Sequence, residues 1–283
     1  MIDLHTHSTC SDGSESPEQV VEAAAAAGCS ALALTDHDRV DGLPAARRRA
    51  EALGIGFVDG CEVSCATERG SLHLLCYFVD GRGPLGARLA ALRADRDRRN
   101  LELGERLGAL GLGVDLADAR AEAGGDGVGR PHFAAALVRR GLASSIEDAF
   151  DRFLAKGRPA YVPKARVEPG TIIAEVAASG GVTVLAHPLA LGLAAGALAR
   201  RVAELTAQGM AGLECYYGAY DPDTRARLAR LALRSGLVAT GGSDFHGSFK
   251  PGLAVGTGRG DLCVPDAALD ELLARRPGGR VGA

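Results

Sequence analysis

The sequence predicts an α/β protein, a barrel of strand-helix units interrupted by a helical insertion. Short apolar runs alternate with amphipathic helix patterns from Ile2 to about Val79 and again from Thr171 onward, whereas Leu85 to about Lys156 carries helix patterns only. Histidine-carboxylate strings fall where predicted strands end, the face on which a βα barrel builds its functional site. An open, doubly wound sheet would also satisfy the alternation, but it would have to gather the same residues at one switch point.

The elements follow in order. MIDLHTH supplies the first strand. In SPEQVVEAAAAAG, Ser16 suits an N-cap, Pro17 the first helical position, Gln19 a capping box and Gly28 the stop. SALALTDHD completes a βαβ unit. A second helix is expected from Leu43 to Leu53, closed by Gly54, followed by strands in IGFVDGCEVS and RGSLHLLCYFV. LGARLAALRADRDRRNLELGERLGALG reads as one long amphipathic helix, and further helices begin near Pro131 and Ser145. The alternation resumes with TIIAEVAASGG, VTVLAHP, MAGLECYY, DPDTRARLARLALRSG and LVATGGSDFHG, and a last helix is expected around Asp266 to Arg275. Repeated βα units favour a parallel sheet. The division implied is a first barrel segment over 1–84, a helical subdomain over 85–160 and a second barrel segment over 161–283.

A chain of 283 residues suits one large domain or a domain with an insertion, and 47% hydrophobic against 24% charged residues excludes disorder. A net charge of -3 argues against wrapping duplex DNA while leaving room for a small anion held by local positive groups. Arg93, Arg96, Arg98 and Arg99, interleaved with Asp95, Asp97, Glu102 and Glu105, read as a solvated helix face of short-range ion pairs. Seven cysteines with no CxxC pair read as reduced thiols. No basic-apolar leader precedes Ile2 and no apolar run is long enough for a membrane. These features lead to the expectation of a cytoplasmic protein with no membrane association and no obligate protein partner.

Six of the seven histidines lie in DLHTH (His5, His7), TDHD (His37), SLHLL (His73), LAHP (His187) and GSDFH (His246, with Asp244). A single histidine in an apolar run is ordinarily a core or surface residue. Two histidines two positions apart at a strand end face the same way and can converge on one ion. Asp244 and His246 repeat that spacing near the other end of the chain. Repeated imidazole and carboxylate groups drawn from distant segments are what a multinuclear metal site requires, and such mixed donors suit manganese, iron or zinc. The absence of cysteine among them removes a structural zinc site.

Together with GCEVS (Glu62) and CSDGS (Asp12), these ordered motifs, from Ile2 to about Gly247, resemble those of the polymerase and histidinol phosphatase (PHP) family of the amidohydrolase superfamily. The resemblance implies a distorted seven-stranded βα barrel holding three divalent transition metals, manganese before iron or zinc. One ion would be held by His5, His7, Glu62 and Asp244, a second by Glu62, His73 and His187, and a third by Asp12, His37 and His246. Asp12 stands where some relatives use histidine. Within the insertion, GRPHFAAALVRRG and AFDRFLAKGRPAYVPK resemble the helical segment of a subfamily acting on nucleoside 3′,5′-bisphosphates, some members being 5′-3′ exoribonucleases. Arg130 and His132 would then face substrate, with Arg158 and Lys164 further candidates. The alternative is that Arg130 caps a neighbouring helix and His132 packs. Pro131 at a helix start leaves free amides for an anion.

The activity implied is phosphoester hydrolysis, with Glu62 and Asp244 catalytic and His132 a candidate to assist the leaving oxygen. The substrate implied is a small nucleotide such as adenosine 3′,5′-bisphosphate, or else short 5′-phosphorylated RNA. Histidinol phosphate and a non-catalytic scaffold complete the alternatives.

Overall fold

In the computed structural model, residues 1–123, 127–163 and 167–277 are described. Seven strands form one sheet in chain order: β1 (Ile2–Asp3), β2 (Ala31–Leu34), β3 (Gly56–Cys65), β4 (Leu72–Tyr77), β5 (Val182–Leu185), β6 (Gly212–Tyr217) and β7 (Val238–Gly242). The sheet curls into a nearly closed barrel. Beyond the short β1, Leu4 N donates to Gly241 O at 3.2 Å, Asp244 N to His5 O at 2.8 Å and His7 N to Phe245 O at 2.9 Å, so the first and last strands meet.

The sheet is not wholly parallel. β4 runs antiparallel to both β3 and β5, while the other neighbouring pairs are parallel. Only Ala66 to Ser71 separate β3 from β4, and so short a link permits a hairpin but not a parallel crossover of a dozen or more residues.

Helices α1 (Pro17–Ala26) and α2 (Leu43–Leu53) cover the first strands. The Ser16–Gln19 capping box forms, and Gly54 takes the left-handed conformation that ends α2. The insertion comprises α3 (Gly83–Ala109), α4 (Leu116–Ala123), α5 (Arg130–Arg139) and α6 (Ile146–Ala149), the last continuing as a wider π-helical turn over Phe150–Leu154. The barrel resumes with α7 (Pro169–Ala178), α8 (Ala195–Ala207), α9 (Pro222–Arg234) and α10 (Ala267–Ala274). Helices α4 and α8 are absent from the sequence reading. α4 buries only Ala119 and Ala123, too little contrast to register as periodicity, whereas the Leu198, Val202 and Leu205 stripe of α8 was legible.

Period-two alternation sorts the strand residues. In β2, Ala31 and Ala33 join the interior cluster with Val58, Leu75, Tyr77, Val182 and Val184, while Leu32 and Leu34 pack outward on Val20 and Val21 of α1 and Ala46 of α2. The insertion has its own core, including Leu103, Leu107, Phe133, Leu137 and Leu154. Helix α3 spans both: Leu85, Leu89 and Leu92 pack with barrel residues, and Leu103 and Leu107 belong to the insertion. Among the described residues no helix is long and apolar enough to cross a membrane.

Fully buried Tyr77 donates its hydroxyl to Leu4 O at 2.7 Å, crossing the interior from β4 to the chain segment that leads into His5. Tyr77→Phe leaves that carbonyl without this donor and is expected to lower unfolding free energy by about 1–2 kcal/mol in urea denaturation, at unchanged fold by circular dichroism.

Candidate metal centre

The same alternation carries polar side chains to one mouth of the barrel. Glu62 shares the inward parity of Val58 in β3, and His73 shares that of Leu75 and Tyr77 in β4. Both therefore lie within strands rather than beyond them. Because β4 is reversed, its beginning lies at the mouth, which is where His73 sits. The other groups follow strand ends: His5, His7 and Asp12 after β1, His37 after β2, His187 after β5, and Asp244 and His246 after β7.

The convergence is close. His5 Nε2 and His7 Nε2 are 3.1 Å apart, and Asp244 Oδ1 lies 3.4 and 3.3 Å from them. Glu62 Oε1 is 2.8 Å from His73 Nδ1 and 2.9 Å from His187 Nε2, while its Oε2 is 3.1 Å from His37 Nδ1 and 3.3 Å from His7 Nε2. Asp12 lies 3.4 Å from His246 Nε2 and 3.7 Å from His37 Nε2. Four overlapping sets of donor atoms result, each within 4.8 Å: His7, Asp12, His37, His246; His5, His7, Asp244; His5, Glu62, His187; and His37, Glu62, His73.

Electrostatics follow from burial and proximity. Burial opposes ionisation of Glu62, Asp12 and Asp244, yet facing histidines, with Lys250 at Asp244, hold all three well below the usual carboxylate range. Burial likewise opposes protonation of His7, but Asp244 and Glu62 raise it to about 9. His37 goes the other way, held down to about 3 because burial outweighs Asp12 and Glu62. The site is thus a dense network of ionised carboxylates and facing imidazoles, in which an entering cation would displace imidazole protons to gain nitrogen donors. Among the described residues, buried His7 Nδ1, Asp12 Oδ1, His37 Nδ1 and His187 Nδ1 find no partner of hydrogen-bonding geometry. Orphaned polar atoms in so dense a donor set are accounted for by cations, and nitrogen with carboxylate oxygen is a fitting donor set for divalent transition metals.

Other side chains hold the cluster in shape. Asp36 accepts from Ser8 N, Ser8 Oγ and Ser11 Oγ at 2.8, 2.7 and 2.6 Å, fixing the loop after β1. His187 and Asp244 adopt positive φ values of 24° and 54°, conformations that cost about 1–3 kcal/mol each and cluster at functional sites. Asp244 Oδ2 accepts from Tyr217 Oη at 2.6 Å and also contacts Lys250. Glu214 went unnoticed in the sequence. Fully buried, it accepts from His5 Nδ1 at 2.8 Å and from His187 N at 2.5 Å, and its only sequence signal is a lone carboxylate in the apolar strand GLECYY.

A cavity over the cluster is walled by the insertion. It is lined by Asp12, His37 and His73 of the cluster and by Arg96, Arg99, Arg130, Phe150 and Tyr161 of the insertion. The arginine run of α3 is therefore not uniformly solvated. Arg93 and Arg98 pair with Asp41 and Asp95 at the surface, but Arg96 and Arg99 are buried. Arg96 donates to Asp38 at 2.7 Å. Arg99 has no hydrogen-bond or ion-pair partner among the described residues, and burial, aided by Arg96 and Arg130, lowers it to about 10. Arg130 donates to Leu154 O at 3.3 Å and lies against the Phe150 and Tyr161 rings.

Two of the remaining substrate candidates stand elsewhere. His132 is fully buried and does not line this cavity; its Nδ1 accepts from Gly129 N at 2.9 Å at the start of α5, and its ring meets Phe249 edge-on. Arg158 is exposed and also absent from the lining. Lys164 lies outside the described residues.

Barrel and cluster together define the class, a metal-dependent phosphoesterase fold. The PHP domain model matches residues 3–87. A 3′,5′-nucleoside bisphosphate phosphatase from Chromobacterium violaceum is 34% identical over 90% of each chain, and a 5′-3′ exoribonuclease from Haemophilus influenzae is 35% identical over 86% of this chain and 89% of its own. A solved amidohydrolase from Chromobacterium violaceum, with bound sulfate and no metal, superposes with a TM-score of 0.85 at 32% identity, covering 98% of this chain and 97% of its own. The chain belongs to the PHP family.

Accepting from His5 Nδ1, Glu214 leaves the Nε2 lone pair of a neutral His5 turned toward the cluster. Glu214→Gln keeps the shape but can present an amide donor to Nδ1, favouring the opposite tautomer. Divalent metal affinity is expected to fall about 10–100-fold in competitive chelator titrations, the range for lost support of a ligating histidine. Unchanged affinity would remove this role.

Proposed function

We propose that this chain is a metal-dependent phosphatase that removes the 3′-phosphate from nucleoside 3′,5′-bisphosphates, converting adenosine 3′,5′-bisphosphate to AMP and phosphate. The observation that carries the reading is the juxtaposition of a metal-donor cluster with a cavity wall of three guanidiniums, Arg96, Arg99 and Arg130. A substrate with two phosphates fits that polarity. One phosphate is drawn to cations at the cluster, and the other meets the arginines.

In this reading three divalent ions, manganese foremost, are held by His5, His7, Glu62 and Asp244; by Glu62, His73 and His187; and by Asp12, His37 and His246. Bound there, they supply Lewis-acid chemistry that activates water and offsets charge on the phosphoryl oxygens. The protein's own groups do the remainder. Glu62 and Asp244 balance the positive charge at the centre, and Glu214 orients His5. Arg99, lacking a hydrogen-bond or ion-pair partner among the described residues, donates to the 5′-phosphate with Arg130. Arg96, fixed by Asp38, sets the rim of the cavity. His132 supports the start of α5, and so the placement of Arg130, rather than touching substrate.

The second reading, 5′-3′ hydrolysis of short 5′-phosphorylated RNA, uses the same arginines for the terminal phosphate and is supported by the exoribonuclease relatives. Histidinol phosphate is disfavoured because its ammonium group would meet guanidiniums. A non-catalytic scaffold is disfavoured by a complete donor set.

Gently purified protein loaded with manganese is expected to hold up to three ions by elemental analysis and anomalous scattering; a single site would overturn the trinuclear reading. Glu62→Gln should lower occupancy and turnover together, and wild-type turnover in the folded variant would remove Glu62 from the centre.

Arg99→Ala and Arg130→Ala are each expected to lower kcat/KM for adenosine 3′,5′-bisphosphate by about 2–4 kcal/mol, with metal content intact and hydrolysis of a simple aryl phosphate little changed. Equal losses on both substrates would place these arginines at the reacting phosphorus. No loss on either would leave the 5′-phosphate without its assigned partners.

A further inference from the structure

The middle of α3 serves two cavities. Arg96 and Arg99 line the one over the cluster, whereas Arg93, Arg96, Asp97, Asn100 and Leu101, spaced as i, i+3, i+4, i+7 and i+8, form a single helical stripe along another. Helix α4 adds Leu116 and Arg120, one turn apart, the loop after β2 adds Arg39, and Val128 ahead of α5 completes the lining. This outer cavity measures about 740 Å³, within the range of about 300–1,000 Å³ typical of small-molecule sites. None of its lining residues belongs to the metal-donor cluster.

Its charges are incompletely matched. Arg39 Nε and Arg93 Nη1 both donate to the one carboxylate of Asp41, each at 2.8 Å, and Arg96 donates to Asp38. Arg120 has no hydrogen-bond or ion-pair partner among the described residues. With Asp97 counted, four guanidiniums face three carboxylates. Two nearly buried members of the stripe also carry unmatched polar atoms: the Arg96 Nε donor and the Asn100 Oδ1 acceptor find no hydrogen-bond partner among the described residues. The Asn100 amide is held in that orientation because its Nδ2 donates to Val128 O at 2.9 Å. Buried polar groups are ordinarily paired. Beside them lies apolar surface, with Leu101 55% exposed.

A ligand suited to this wall brings an anionic acceptor, an N–H donor and an apolar body of moderate size. A nucleotide with an amino-bearing base has all three. We infer that the outer cavity is a second, non-catalytic nucleotide site and that it takes the nucleoside 5′-monophosphate released at the cluster. The excess of one guanidinium over the carboxylates suits a single phosphate better than two, and with no metal donors at hand the bound nucleotide is not hydrolysed. The inference rests on the nucleotide reading above and adds regulation to it.

Arg96 is the physical link, since it lines both cavities. Two anions that draw on one guanidinium oppose each other's binding, and the opposition is reciprocal. Product held in the outer cavity therefore lowers the affinity of the catalytic cavity for bisphosphate. The result is feedback by AMP.

The test is equilibrium dialysis of manganese-loaded protein against AMP, paired with hydrolysis of adenosine 3′,5′-bisphosphate. Wild type is expected to bind two AMP per chain. Arg120→Glu and Leu101→Glu, both changes at exposed positions, should weaken one of the two by about tenfold or more, as expected for a lost bond to a charged group or an added like charge, and leave the other unchanged. In the absence of AMP, Arg120→Glu should keep the wild-type kcat and KM, while its inhibition by added AMP becomes weaker. One AMP per chain in wild type, or two bound with unaltered affinity in both variants, overturns the outer site. Inorganic phosphate that fills the outer site as tightly as AMP does overturns its assignment to a nucleoside. Loss of the second AMP in Arg120→Glu with inhibition by AMP unaltered overturns the feedback. A wild-type protein inactive on the bisphosphate overturns the nucleotide reading itself.

Discussion

A single carboxylate, Glu62, lies within 3.5 Å of ring nitrogens from five histidines, His5, His7, His37, His73 and His187. Each arrives on a different strand or strand end, apart from the His5 and His7 pair. A buried carboxylate is tolerable only with compensating charge and hydrogen bonds. The barrel must therefore bring those segments into register around Glu62, or leave an uncompensated charge in its interior. This requirement ties ring closure to the chemistry. The hydrogen bonds that join the segment after β1 to that after β7 involve His5, His7 and Asp244 themselves.

The reversed strand is part of the same solution. A parallel strand at that place would have needed a crossover, and its residues at the mouth would have come from its end. A hairpin instead delivers His73, near the beginning of β4, beside Glu62 on the neighbouring strand. The positive φ values of His187 and Asp244 act similarly, turning the chain sharply as it leaves the barrel. Glu214 helps to hold one of these turns through the His187 amide, so a conformation of intrinsic cost is stabilised by a buried hydrogen bond.

Much of this was legible in the sequence because it is local. The HxH and DxH spacings place both members on one face, and the Ser16–Gln19 box and Gly54 mark helix ends by their own chemistry. What was not legible is relational. Strand direction at β4 depended on connection length rather than on residue pattern. Glu214 was a lone acidic residue whose partners are distant in the chain. Arg96 and Arg99 follow the same charged periodicity as Arg93 and Arg98, and only packing of the insertion distinguishes the buried pair from the solvated one. His132 was placed near substrate by its neighbourhood, but its hydrogen bond is made to the α5 cap.

The two cores contribute different side chains to the mouth. Donor side chains of the cluster come from the barrel and its mouth, whereas Arg96, Arg99 and Arg130 come from α3 and α5 of the insertion. Helix α3 joins the two because its first turns pack into the barrel and its last into the insertion, which leaves its middle, with Arg96 and Arg99, over the mouth. The cluster's own carboxylates are compensated by the facing histidines and by Lys250, while the Arg96–Asp38 ion pair ties the middle of α3 to the barrel mouth.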